Sequence, residues 1–306
     1  MQFRVLGPLS IWDGERPVAI PTIMVRRLLA LLLSSAGKPI SADALTEQLW
    51  HSAPPRSARK TLQVHMHRLR RLFDDRAMVT YDIAGYTLQV APHELDAAIF
   101  ADLVRQAVEA RQRGELETAH SLLDRAHKLW RGDAYAGYQD MELIAAEAER
   151  LQEVKLAALE EQSAISLELG RHAMLIGELS VMVANYPYRE RLRGQLMLAL
   201  YRGGRQAEAL AVYRQGRDRL VADLGVEPMP ELQMLQRRIL ANDPMLALPR
   251  AAEPSAHHYL PRDVPGFVGR DADLRWLDNA AANRDAAILI NAIAGTAGVG
   301  KPIPRF

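Results

Sequence analysis

The alternation of apolar and polar positions changes period several times along the chain, and each change marks a new element. The opening FRVLGPLSIWDGERPVAIP alternates residue by residue and is broken at Gly7-Pro8 and Asp13-Gly14. Asp-Gly between apolar runs is a hairpin signal, so two or three short antiparallel strands ending at Pro21 are expected. The period then lengthens to that of a helix from about Met24 to Ser35, stopped by Ala36-Gly37-Lys38-Pro39. Ser41 is placed to cap a second helix, SADALTEQLW, with Asp43 near its positive end. Pro54-Pro55 turns the chain into a third helix, and MVTYDIAGYTLQV then reads as a hairpin turning near Ala84-Gly85. Strands, helix, helix, helix and hairpin in this order describe a winged helix-turn-helix, whose third helix is the recognition helix.

That third helix, RSARKTLQVHMHRLRRLF, has two chemically opposite sides. At 100° per residue Leu62, Met66, Leu69 and Phe73 gather on one face. Lys60, Val64, His67 and Arg71 lie opposite, flanked by Arg56, Ser57, Gln63 and Arg68, and no acid falls between Arg56 and Arg71. A helix anchored by one face and presenting Lys, Arg, Gln and a methyl group on the other suits a DNA major groove. A basic helix face is more often a solvated surface. Its position on the third helix of this arrangement is what favours the nucleic-acid reading.

From Leu95 to Asn242 the pattern is helical throughout. Helix-opening phrases recur at Gly114-Glu-Leu, Gly170-Arg-His and Gly204-Arg-Gln. The last two are 34 residues apart, the period of tetratricopeptide helical hairpins, while the first pair is 56 apart. Such hairpins bury their apolar faces only by stacking. The chain is therefore expected to be mainly α, a winged helix over 1–92 followed by an all-α repeat domain over 93–242. Residues 243–265, rich in Pro, Ala and Ser, read as a linker.

Over 266–306 an apolar strand, AILINAIA, runs into Gly295-Thr-Ala-Gly-Val-Gly300-Lys301, the start of a phosphate-cradling loop. Pro302 stands where a Ser or Thr would serve magnesium, and proline also removes a backbone donor. Gly295, Gly300 and Lys301 are thus read as a vestigial nucleotide site, the severed start of a longer protein. No cofactor is expected.

Composition narrows the possibilities. Lys and Arg total 38 against 37 Asp and Glu, so any nucleic-acid function must come from a local patch rather than from net charge. The absence of cysteine excludes disulfides, thiolate catalysis and Cys-ligated zinc, and fits a cytoplasmic protein. No signal peptide or membrane span is evident. His65 and His67 point apart at i, i+2, His257-His258 falls in the linker, and no catalytic triad has its strand–nucleophile–helix context. Neither a metal site nor an enzyme is expected. Trp50 and Trp130 read as core anchors.

The whole layout resembles the Streptomyces antibiotic regulatory protein family of activators. The resemblance rests on FRVLGPLSIWDG, LLALLLSSAGKPISADALTEQLW, PPRSARKTLQVHMHRLRRLF and GYTLQV, followed by LWRGDAY and AVYRQGRDRLVADLGVEPMPELQMLQRRIL. It covers residues 1 to about 242, and the tail is similar to the beginning of the nucleotide-binding domain of larger members. The resemblance implies an OmpR-type winged helix binding direct repeats in double-stranded DNA as a homodimer. It also implies recruitment of RNA polymerase holoenzyme through sigma factor, often at secondary-metabolite genes. It adds His65 and Arg70 to the DNA surface; on the wing, Tyr81 to Tyr86, with Tyr86 as the candidate contact, is expected to reach the minor groove but, carrying no Arg or Lys, to contribute less than the recognition helix. Two other readings compete: the regulatory part of a signalling nucleoside triphosphatase, and a helical adaptor that docks protein.

Overall fold

The structure, a computed structural model, describes residues 1–50, 54–73, 78–247 and Arg275. The phosphate-loop tail, with Gly295, Gly300 and Lys301, and nearly all of the expected linker lie outside the described residues. The chain divides into two units, 1–248 and 249–306. Of the second, only Arg275 is described, a helical and exposed residue.

The first unit opens with an antiparallel meander of β1 (Gln2–Arg4), β2 (Ser10–Asp13) and β3 (Arg16–Val18). Register runs Phe3 to Ile11 and Ile11 to Val18, so the strands stop short of the expected Pro21. Three helices follow: α1 (Ile23–Ser34), α2 (Ala42–Trp50) and α3 (Ala58–Arg71). Thr22 caps α1 by accepting the Val25 amide at 3.3 Å, and Ser41 caps α2 through the Ala44 amide at 3.1 Å.

The wing is the hairpin β4 (Val79–Asp82) and β5 (Gly85–Leu88). Asp82 pairs with Gly85, so the turn is Ile83-Ala84, one residue earlier than expected. The cause lies outside the hairpin. Tyr86 exchanges backbone hydrogen bonds of 2.9 Å with Ile40 in both directions. A Cβ at Gly85 would sit 2.1 Å from the Ile40 carbonyl oxygen, and only glycine permits this approach. Gly85 is therefore pairing in the strand and not turning the chain.

The remainder is helical: α4 (Asp96–Gln112), α5 (Leu116–His127), α6 (Glu142–Glu168), α7 (His172–Asn185), α8 (Glu190–Arg202), α9 (Gln206–Leu224) and α10 (Pro230–Leu240). The three recurring glycine phrases are the turns of the hairpins α4–α5, α6–α7 and α8–α9. Gly114, Gly170 and Gly204 take φ of 78°, 76° and 74°. Each turn repeats one bond pair, an i→i−5 amide bond beside an i→i−3 bond: Glu115 to Ala110 with Gly114 to Arg111, and likewise at Arg171 and Arg205. This is the Schellman ending, which satisfies the orphan carbonyls of the first helix while reversing the chain.

One hydrophobic core runs without a break from β1, through α1 and α3, into α4, α5 and most of α6; a second is formed by the end of α6 with α7–α10. The seam between winged helix and helical stack joins side chains to main-chain groups. Asp96 at the start of α4, 6% exposed, accepts the amides of Val5 at 2.8 Å and Leu6 at 3.1 Å. It also accepts a 2.9 Å bond from Arg131. Burial pushes its carboxyl pKa up, against the pull of these three donors. The LWRGDAY segment returns the contact: Arg131 N–H donates to the Leu6 carbonyl and Tyr135 N–H to the Val5 carbonyl, both at 2.8 Å. Gly7 faces Arg131 so closely that an added Cβ would lie 3.0 Å from the arginine Cβ. Arg27 on α1 reaches Asp140, just before α6, at 2.6 Å.

Candidate nucleic-acid interface

Helix α3 is held by the face that its periodicity marks as apolar. Leu62, Met66 and Leu69 are buried against α1 and α2, and Phe73 lies edge-on to Phe3 with centroids 5.8 Å apart. At about 25 cal/mol per Å² of apolar area, each such side chain contributes roughly 1.5–3 kcal/mol. This burial fixes the rotation of the helix about its own axis and therefore fixes which residues face outward.

Arg56, Ser57, Lys60, Gln63, Val64, His67, Arg68 and Arg71 are all exposed, Val64 by 49%. Among the described residues none of the five cationic or amide side chains Arg56, Lys60, Gln63, Arg68 and Arg71 takes a hydrogen bond or ion pair. Ser57 occupies the N-cap position without a capping bond, its hydroxyl 3.4 Å from that of Thr61. The result is a ridge of positive charge, without a matching acid among the described residues, and with a methyl-bearing side chain at its centre.

Three of the expected residues are differently placed. His65 is half-buried beside Trp50, ring centroids 6.4 Å apart, and its Nδ1 has no partner. Burial and the nearby Arg68 hold its pKa below the ordinary imidazole value. Arg70 is half-buried and its Nε donates to the Val79 carbonyl at 3.2 Å, tying α3 to the wing. Tyr86, expected on the DNA-facing side of the wing, is only 8% exposed. Its strand is fastened to Ile40, and the Tyr81 ring covers it at 4.5 Å. Within the expected Tyr81 to Tyr86 segment the outward residues are Tyr81, 62% exposed, and Ile83, wholly exposed. Asp82 closes the tip by accepting the amides of Ala84 at 2.8 Å and Gly85 at 3.2 Å.

Arg59 escaped the sequence reading. It is exposed on α3 but bound to Asp43 of α2 at 2.7 Å, which raises its pKa further through the hydrogen bond and the charge. Both residues line a cleft of about 610 Å³ between α2, α3 and the wing, together with Gln63, Arg70 and Tyr81. Nothing local in the sequence pairs residue 59 with residue 43. Among the described residues no group of three or more His, Asp or Glu side chains is arranged to hold a metal. Nor is any described helix long and apolar enough to cross a membrane.

Comparison with known proteins bears on both parts of the chain. Residues 20–88 match the domain described as transcriptional regulatory protein, C terminal. Residues 95–240 match the bacterial transcriptional activator domain. Regulatory protein DnrI of Streptomyces peucetius is 37% identical over 254 residues, covering 80% of this chain and 93% of that protein. Regulatory protein AfsR of Streptomyces griseus is 37% identical over 312 residues, 98% of this chain. The chain spans only 31% of the length of that relative. The solved structure of Mycobacterium tuberculosis EmbR, in complex with a low-affinity phosphopeptide, superposes with a TM-score of 0.76 at 32% identity. It covers 79% of this chain and 65% of the EmbR chain.

Proposed function

The chain belongs to the Streptomyces antibiotic regulatory protein family of transcriptional activators, and on that premise we propose that it activates transcription by gripping duplex DNA through α3. The observation that supports this is the outward face of α3, four arginine and lysine side chains without a counter-charge among the described residues, around an exposed Val64. Arg56, Lys60 and Arg71, with His67 and Ser57, serve phosphates and fix the register. Gln63 and Arg68 reach base edges, and Val64 meets a thymine methyl. His65 and Arg70 contribute by holding α3 in place against Trp50 and the wing. Two copies side by side on direct repeats present their recognition helices to the same groove face about one helical turn apart. The helical stack contacts RNA polymerase holoenzyme, including sigma factor, at promoters of secondary-metabolite genes in the cytoplasm.

The test is selection of bound genomic fragments followed by footprinting of the best site, repeated with Arg68→Ala. Loss of a base contact costs about 1–3 kcal/mol and relaxes preference at one position of each repeat. Duplex binding that survives unchanged in both Arg68→Ala and Lys60→Ala would falsify the assignment.

A further inference from the structure

Val64 is the one large apolar side chain that α3 leaves exposed. Lys60 and Arg68 stand one helical turn to either side of it, with Gln63 and His67 beside it, all exposed. Each of those neighbours can serve a phosphate or a polar base edge, whereas the two methyl groups of valine can serve neither. The side chain cannot turn inward, because burial of Leu62, Met66 and Leu69 fixes the rotation of the helix. Nor does it sweep across the surface. A β-branched side chain on a helix keeps one strongly preferred χ1 rotamer, so its methyl groups are held in place before anything binds.

A major groove offers such a side chain a single kind of partner. Its base edges are donors and acceptors, with one apolar group among them, the methyl on C5 of thymine. 5-Methylcytosine carries the same group on the same carbon and differs from thymine in having an amino group where thymine has a carbonyl oxygen. The Gln63 amide admits both, since it accepts from the one and donates to the other. We propose that Val64 reads the C5-methyl group of a pyrimidine whichever base carries it, so that methylation of a cytosine at that position regulates binding. This rests on α3 being the recognition helix. An operator with cytosine there is bound weakly until it is methylated, and one methyl group moved from water into an apolar contact is worth about fourfold in affinity.

The experiment measures the full chain by fluorescence anisotropy on its selected operator, with the pyrimidines of one repeat replaced in turn. Uracil for thymine deletes the methyl group and leaves base pairing intact, and at one position it weakens binding about fourfold. With a C·G pair in place of T·A at that position, 5-methylcytosine binds about fourfold more tightly than cytosine. Val64→Ala, which keeps a good helix former at the site, erases both differences and leaves the salt slope unchanged. Uracil equal to thymine at every position, cytosine equal to 5-methylcytosine at the sensitive one, or a methyl effect that persists in Val64→Ala overturns the proposal. Salt-dependent duplex binding retained in those outcomes leaves the role of α3 standing; a chain that binds no duplex overturns both.

Discussion

Removal of the Lys60 ammonium tests the electrostatic part of the proposed DNA recognition in numbers. Four side chains on the outer face of α3, Arg56, Lys60, Arg68 and Arg71, are exposed cations without a counter-charge among the described residues. Arg59 is held by Asp43 and Arg70 by the wing carbonyl of Val79. Each neutralised phosphate releases counterions and adds about −0.9 to the slope of log K against log salt. With Arg68 on a base edge, the three phosphate contacts of Arg56, Lys60 and Arg71 predict a slope of about −2.7 per protomer on a single repeat, a loss of about 40-fold in affinity between roughly 50 and 200 mM salt. With Lys60→Ala the slope becomes about −1.8 and the same change in salt costs only about 12-fold. Fluorescence anisotropy with one duplex repeat, titrated at five or more salt concentrations, reads both slopes. With Lys60 on phosphate as proposed, the loss is the same on specific and scrambled duplexes. A slope near −1 in the parent protein, or an unchanged slope in the variant, means that the α3 cations do not lie on the phosphates.

Other perturbations reach different parts of the molecule. Asp43→Ala releases Arg59 towards the cleft beside the wing, and the salt slope is expected to steepen by about 0.9 if the guanidinium finds a phosphate; the same anisotropy titration checks it. Asp96→Ala leaves the Val5 and Leu6 amides without acceptors at the buried seam, costing about 2–4 kcal/mol in urea unfolding; a loss below about 1 kcal/mol means that the seam reorganises around water. Burial holds the imidazoles of His65 and His127 below their ordinary pKa of 6.5, so the unfolded chain takes up protons first. Stability is whole above that value and declines as pH falls through it, and His65→Gln with His127→Gln flattens the decline in urea midpoints measured across pH 7 to 5. Carboxylates with lowered pKa, such as Glu94, act only at more acid pH.

What the sequence revealed divides along a physical line, between features set by local period and features set by distant partners. The two faces of α3 follow from 100° per residue and from the fixed positions of Leu62, Met66 and Leu69. The Ser41 cap and the three glycine turns need only neighbours within a few residues. Tyr86 lies inward of the expected wing surface because all four residues of β5 are buried. The Ile40 segment covers the side on which a simple hairpin would be open. Arg59 and Arg70 look like further members of the basic ridge until Asp43 and the Val79 carbonyl are placed beside them. The role of LWRGDAY was equally hidden, since apart from Asp96 its partners across the seam are main-chain groups, those of Val5 and Leu6 among them, more than a hundred residues away, which carry no side-chain signature.

The backbone lock of Val5 and Leu6 against Arg131 and Tyr135 makes the reading head and the helical arm one lever. For a regulator seated through α3, the azimuth of that arm around the double helix is then dictated by operator position alone. Five base pairs inserted between operator and promoter, about half a turn of DNA, swing the arm to the far side, whereas ten restore its bearing.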